Sequence, residues 1–226
     1  MSARLLAVTI LTVIGLTCGP GPAGAQSPAP QMRDPDRLPI PRFVVDARGV
    51  LPRFKQNPVI ADGIGVSVAN LPTHGLGLVV GAHWYPLRMG VITMGVGGEW
   101  LLARASRTLD PATAGGEPGP AVDARLSSVS PQVSFNFGKQ NGWSYVSGGI
   151  GRSAYTTERP DDPLPDQASA SKTINYGGGA RWFAKPHVAV SMDLRFYAIN
   201  PQETSALRPA VPRMTLVMLS AGVSFK

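Results

Sequence analysis

The residues that could perform acid–base or metal chemistry are few and far apart in this sequence. The histidines are His74, His83 and His187, and the single cysteine is Cys18. A Ser/His/acid site needs converging side chains, and a zinc site needs a cluster of His, Cys or carboxylate ligands. The pattern places His74 in a long loop, His83 near a strand end and His187 in a short turn. We therefore predict no catalytic residues, no metal and no cofactor, and no enzymatic activity.

The charge balance of the chain is modestly basic. In 226 residues, 21 Lys and Arg stand against 14 Asp and Glu, without a dense basic run. Scattered basic residues disfavour nucleic-acid binding, and the glycine-rich segments are not phosphate loops because no helix follows them. Attraction to anionic lipid phosphates or polysaccharide is the better electrostatic interpretation.

The N-terminal region resembles an export signal. Arg4 precedes an apolar stretch over residues 5–17, and the sequence Ala-Gly-Ala before Gln26 fits a cleavage site. A retained anchor is the alternative, but 13 apolar residues are too few to span a bilayer. We predict a signal peptide over residues 1–25, a Pro-rich linker over 26–42 and one folded domain over 43–226. The exported chain would then contain no cysteine, which suits an oxidising compartment.

From Phe43 onward, apolar and polar residues alternate with a period of two, which is typical of strands with two different faces. Residues 188–199 show this most clearly, since Asp193 and Arg195 lie between Met192, Leu194 and Phe196. Eight strands follow from the pattern: residues 43–51, 76–85, 92–102, 128–137, 143–155, 174–183, 188–199 and 215–225.

Two features of this pattern are ambiguous. Pro131 lacks a backbone donor, so it predicts a bulge or the outer end of a strand. In residues 143–155, an outward phase for Trp143 and Tyr145 turns Val146 and Ile150 inward, so a bulge is expected to reset the phase.

The connections between these strands alternate strictly between short and long. The short ones are residues 85–90, 138–142 and 184–187, and the second contains the hairpin signal Asn141-Gly142. The long ones are residues 52–74, 106–125, 156–172 and 200–213. An even number of antiparallel strands with this alternation is typical of bacterial outer-membrane barrels, in which the short turns are periplasmic and the long loops extracellular. The sequence predicts an all-β, eight-stranded, antiparallel up-and-down transmembrane β-barrel.

Aromatic residues fall at the two ends of the predicted strands, as the interfacial girdles of such barrels do. The lower, periplasmic girdle is predicted to contain Trp84, Phe137, Trp143, Trp182 and Phe225. The upper girdle would contain Trp100, Tyr155, Tyr176 and Phe196.

The same strand phases turn charged residues toward the lumen. The inward set comprises three acids and three arginines: Asp46, Arg48, Glu99, Arg181, Asp193 and Arg195. Eight strands leave an interior that side chains can fill, and buried charges must be paired. An ion-pair network that sets strand register is the first interpretation, and a gated path for ions or small solutes is the alternative. The inward glycines Gly75, Gly77, Gly95, Gly97, Gly177 and Gly179 could leave space or allow tight coiling.

Residues 175–183 (NYGGGARWF), residues 193–197 (DLRFY) and the C-terminal Val223-Ser224-Phe225 resemble the bacterial outer-membrane β-barrel domain family. These small barrels are similar to the transmembrane part of outer-membrane protein A. The resemblance implies an eight-stranded barrel inserted from the periplasm by the barrel-insertion machinery. Phe225 is penultimate rather than final, since Lys226 follows it.

The functional hypothesis is a non-enzymatic, monomeric barrel in the bacterial outer membrane, reached by export through the periplasm. Its four extracellular loops would serve envelope integrity or surface interaction, and its expected partners are outer-membrane lipids and lipopolysaccharide. A narrow pore is one alternative. A secreted soluble lipocalin-like binding barrel is another, and it would require polar outward faces.

Overall fold

The architecture comes from a computed structural model that describes residues 39–111, 116–159, 170–203 and 210–226. The predicted signal peptide (1–25) and linker residues 26–38 lie outside the described residues. So do parts of three predicted long loops, namely residues 112–115, 160–169 and 204–209.

Eight strands form one closed antiparallel barrel, in which each strand pairs with the next and the last pairs with the first. This confirms the predicted fold class. The strands are β1 (Phe43–Arg53), β2 (Leu76–Met89), β3 (Ile92–Thr108), β4 (Ala121–Lys139), β5 (Gly142–Glu158), β6 (Ser171–Lys185), β7 (Val188–Ile199) and β8 (Met214–Phe225). Among the described residues, no helix has the length and apolar character needed to cross a bilayer.

The strand register determines how far the strands tilt from the barrel axis. A path through paired residues that starts at Phe43 passes Trp84, Val133 and Val217 and returns to β1 at Arg53, ten residues further on. A stagger of this size in an eight-stranded barrel corresponds to strands tilted by about 40°. The interior is therefore narrow enough for side chains to fill.

Bulges occur next to short turns, and none occurs where Pro131 predicted one. The β2–β3 register shifts between Trp84 and Leu87, around Pro86, and the β6–β7 register shifts after Phe183. The β4–β5 register is the same on both sides of Pro131, which faces outward from the middle of β4. Pro131 therefore interrupts the ladder without inserting a residue. In the hairpin that contains Asn141-Gly142, the residue with positive φ is Gly138, which lies in β4 and pairs with Trp143.

Six strands extend further toward the loop end than predicted, and β3 and β4 extend furthest. β3, β4 and β5 contain 17, 19 and 17 residues, whereas about 9–11 tilted residues cross a bilayer. Residues 52–53, 106–108, 121–125, 156–158 and 171–172, predicted as loop, are strand. In β3 and β4 the prediction failed because the alternation inverts at the loop end: inward positions become apolar, as at Ala105 and Ala124, while outward Arg104 and Arg125 are exposed.

The first long connection folds back over the barrel mouth. It contains the helix α1 (Pro58–Gly63) and a 3-10 turn over Val68–Asn70. The Asn57 side chain accepts a hydrogen bond from the Val59 amide at 2.9 Å, and Pro58 occupies the first helical turn, a position that tolerates its missing N–H. Residues 65–71 therefore do not extend β2, and the 3-10 turn lies within them.

At the opposite mouth, the chain packs against the barrel before β1 begins. Ile40 is buried, and its carbonyl oxygen accepts a hydrogen bond from Arg88 at 2.7 Å. The Arg42 carbonyl accepts one from the Tyr85 amide at 2.8 Å. Residues before the predicted domain start at Phe43 therefore also pack against the barrel.

Candidate functional site: the barrel interior and its outer surface

The two faces of the barrel wall have opposite character. Apolar side chains on the outer face of the strands are exposed, with Val133, Leu194 and Leu219 as examples. On the inner face, all six predicted charged residues are at most 4% exposed: Asp46, Arg48, Glu99, Arg181, Asp193 and Arg195. The wall thus has an apolar exterior around a polar centre.

Four of these charged residues form a central cluster contributed by β1, β3 and β7. Arg48 pairs with Glu99 through a short contact and lies 3.4 Å from Asp193. Arg195 lies 3.4 Å from Glu99 and 3.1 Å from Asp193. Each arginine contacts both carboxylates, so two positive charges balance two negative ones.

Neutral side chains complete the hydrogen bonding of this cluster. Gln132 donates to Glu99 at 2.7 Å, and Arg195 donates to Ser147 at 2.7 Å and to Asn175 at 3.4 Å. A buried charge is tolerated only when it is both paired and hydrogen-bonded. A cavity of about one water molecule's size lies beside the cluster and is lined in part by Val50, Tyr197 and Met218.

The remaining two charges form a separate pair nearer the short turns. Arg181 donates to Asp46 in a bidentate arrangement, at 3.0 Å and 2.5 Å. Ser224 also donates to Asp46 through a short contact, and the His83 ring lies 3.5 Å from the same carboxylate. The planar guanidinium fork suits such two-point recognition of a carboxylate.

Tyr145 connects the two groups of charges and was missed by the sequence analysis. Its hydroxyl donates to Asp193 at 2.9 Å and accepts from Arg48 at 3.1 Å. The Arg181 guanidinium lies over its ring, 4.3 Å from the centroid, which is a favourable cation–π position.

Tyr145 was missed because the predicted phase of β5 is wrong. Trp143 and Tyr145 point inward and are buried, whereas Val146 and Ile150 point outward and are exposed. No bulge is needed, since the β4–β5 register stays constant. Val146 and Ile150 were the signal in the sequence that favours the observed phase. Aliphatic side chains suit the apolar outer face, whereas aromatic side chains such as Trp143 and Tyr145 fit either face.

The phase of β5 also corrects both predicted girdles. Trp143 packs inside the barrel against Tyr85 and Phe183, with ring centroids 6.3 Å and 5.2 Å away, and Tyr155 packs inside against Phe54 at 6.1 Å. The other four lower aromatics are exposed on the outer wall: Trp84, Phe137, Trp182 and Phe225. In the upper set, Trp100 and Tyr176 are exposed, and Tyr176 stacks on Phe196 at 5.3 Å.

Apolar layers lie on both sides of the charged centre. The layer at the short-turn end contains Ile40, Val44, Tyr85 and Trp143. The layer at the loop end is larger and includes residues of the first long connection, namely Phe54, Ile60, Ala61 and Leu71. The interior is therefore filled along its length by three successive layers.

The inward glycines do not leave open space. A Cβ atom at Gly95 would lie 2.5 Å from the Tyr85 ring, and one at Gly179 would lie 2.8 Å from the Tyr145 hydroxyl. These glycines allow the large interior tyrosines to lie directly against the barrel wall.

The histidines lie in three different parts of the barrel. His74 is exposed at the loop end, His83 is buried beside Asp46, and His187 is exposed at the short-turn end, 3.2 Å from the Lys226 carbonyl. Within the described residues, no group of three His, Cys, Asp or Glu side chains could hold a metal ion.

No family model and no curated protein matches the chain. Solved structures do match it. The outer-membrane protein OprG from Pseudomonas aeruginosa is 8% identical, covers 85% of this chain and 98% of its own, and gives a TM-score of 0.51. Neisserial surface protein A is 16% identical over 81% of this chain and 96% of its own, with a TM-score of 0.49. The likeness to OprG shows that the chain has the fold of a small outer-membrane β-barrel, as the resemblance implied.

Proposed function

We propose that this protein is an integral, non-enzymatic barrel of the bacterial outer membrane that holds four extracellular loops at the cell surface. The observation that carries the proposal is the distribution of polarity in the wall. Exposed apolar residues on the outer face surround an interior of paired charges, which suits a barrel with lipid outside. A soluble lipocalin-like barrel would have the opposite distribution, so the exposed apolar wall disfavours it.

The orientation follows from the two kinds of connection. The short turns, the start of β1 and the end of β8 lie at one end of the barrel, which carries Trp84, Phe137, Trp182 and Phe225. The long connections lie at the opposite end. We assign the first end to the periplasm, in keeping with export and insertion from that side by the barrel-insertion machinery. The protein is proposed to act as a monomer, since β1 pairs with β8 and no whole strand is left with a free edge for pairing with a second chain.

The packed interior supports a closed barrel rather than the alternative narrow pore. An ion would have to cross two apolar layers, and the charges between them already have protein partners. We therefore expect no stepwise conductance from the protein in planar bilayers. Conductance that changes in the Glu99→Gln variant would instead support the pore.

The membrane assignment is tested by washing isolated envelopes with carbonate and comparing gel migration of unheated and boiled samples. We expect the protein to stay in the membrane pellet and to show heat-modifiable migration, as folded barrels do. Release into the carbonate supernatant would contradict the proposal.

Loop orientation is tested separately, by treating intact cells with a protease. We expect cleavage within residues 109–120, between β3 and β4, and protection of the short turn at Gln140. The reverse pattern of cleavage would overturn the orientation while leaving membrane insertion intact.

A further inference from the structure

Basic residues follow the apolar outer wall at the loop end on six of the eight strands. Along the outward face of β1, β3, β5 and β6, the next outward residue after the last exposed apolar one is basic. On β4, the basic residue comes one outward position later. Arg213 directly precedes β8 and lies two residues before the outward Thr215. All six side chains are exposed, and we call them the basic belt: Arg53, Arg104, Arg125, Arg152, Lys172 and Arg213.

The belt lies just beyond the upper aromatic residues. On β3 the outward sequence is Trp100, Leu102, Arg104, and on β6 it is Tyr176, Ile174, Lys172. Four residues correspond to about 13 Å along a strand, and interfacial aromatics mark the level of the headgroups. The belt therefore lies where the headgroup region of the surrounding lipid would be.

Strand pairing places like charges opposite each other within the belt. Arg104 is the direct partner of Arg125, and Arg152 is the direct partner of Lys172. Like charges in directly opposed positions destabilise a sheet. An anion that both members of a pair contact would remove this repulsion.

In the described part of the chain, the first pair has a protein anion and the second has none. Asp123 accepts from Arg104 at 2.9 Å and lies 3.9 Å from Arg125, and Glu158 lies 3.2 Å from Arg125. No carboxylate in the described part of the chain forms an ion pair with Arg152 or Lys172. Among the described residues, two acids form ion pairs with the six basic residues of the belt, so positive charge is in excess there.

We propose that the basic belt binds phosphate groups of anionic lipids on the loop side of the membrane, and that Arg152 and Lys172 share one phosphate. This assignment rests on the proposed membrane insertion and adds the residues and the headgroup chemistry. Arginine and lysine are the usual phosphate-binding residues. The exposed Ile150 and Ile174 directly below the pair provide an apolar surface for the acyl chains of the same lipid.

The test compares two lipids with the wild-type protein folded in neutral detergent micelles. Fluorescent lipid A is used with both phosphates present or with both removed, after heat-modifiable migration has shown that the barrel is folded. We expect tighter binding of the phosphorylated lipid, with a preference that weakens as salt is raised because exposed charges are screened. Equal binding of the two lipids by the folded protein would overturn the proposal without affecting the membrane assignment.

The residues are tested with the double variant Arg152→Gln/Lys172→Gln. Each basic residue near a charged lipid surface adds to the attraction, so we expect the preference for phosphorylated lipid to fall by about tenfold or more. The matched control is Lys139→Gln/Lys185→Gln, which removes two exposed lysines at the opposite end and should leave the preference unchanged. A double variant with wild-type preference would refute the shared phosphate site.

The source of the phosphate is tested by competition. Inorganic phosphate at the same concentration should not displace the lipid, because it has no acyl chains to contact the apolar wall. Displacement by free phosphate would contradict the assignment to lipid.

Discussion

Arginine occupies two environments in this barrel, and its partners differ between them. Inside, Arg48, Arg181 and Arg195 are matched one for one by Glu99, Asp46 and Asp193, and hydroxyl or amide groups complete their hydrogen bonds. At the loop end, six basic side chains are exposed, and two carboxylates of the described residues form ion pairs with them. Burial requires an internal counter-ion, whereas an exposed cation can use an external one. Charge balance therefore distinguishes the structural arginines from those that are available for binding.

The largest effect should follow from breaking a buried pair. Arg181→Met removes the guanidinium and leaves Asp46 buried without its counter-ion, so we expect the free energy of unfolding to fall by about 3–5 kcal/mol. Urea unfolding of the barrel in lipid vesicles, followed by tryptophan fluorescence, measures the change.

The control for this variant lies in the basic belt. Arg213→Met makes the same replacement at an exposed position and should change the unfolding free energy by less than about 1 kcal/mol. A similar decrease in unfolding free energy in both variants would contradict the distinction between the two environments.

An intermediate effect is expected from Tyr145→Phe. This variant removes the hydroxyl between Arg48 and Asp193 but keeps the ring under Arg181. Loss of a buried hydrogen bond with a charged partner costs about 1–3 kcal/mol. Tyr176→Phe, on the outer wall, is the control, and a loss of stability as large there would argue against a special role for the interior hydroxyl.

The smallest effect on stability is expected from Arg104→Gln. Its contact with Asp123 is an ion pair with an exposed arginine, so the variant should lose at most about 1 kcal/mol. The same urea titration measures it. A loss of several kcal/mol would mean that Arg104 belongs with the structural charges rather than with the belt.

The sequence predicted the parts of the barrel where physical chemistry allows one arrangement. In β7, Asp193 and Arg195 do not suit an apolar outer wall, so Met192 and Leu194 must face outward, and the phase of the whole strand follows. The inward orientation of the other charged residues follows in the same way. The sequence does not reveal that the six charges divide into a cluster of four and a separate pair. This division depends on the register of the strands and on the rotamers of the charged side chains.

The errors occurred where a residue type suits both faces. Trp143 and Tyr155 fit an interfacial girdle or a packed interior equally well, and Gly148 and Gly149 interrupt the alternation between them. At the loop end, the inverted polarity of β3 and β4 resembled loop sequence. Its cause is tertiary, since Phe54, Ile60 and Leu71 from the first connection create an apolar interior there. The spacing of residues in single strands does not reveal that packing.

The central claim is that the apolar outer wall faces lipid, and site-directed spin labelling tests it most directly. Cys18 is the single cysteine and lies in the predicted signal peptide, so Val133→Cys and Leu194→Cys each give the exported chain one thiol. In lipid vesicles, we predict that nitroxides at both positions collide readily with oxygen and rarely with a water-soluble nickel chelate. Frequent collisions with the nickel chelate at both positions would contradict the account.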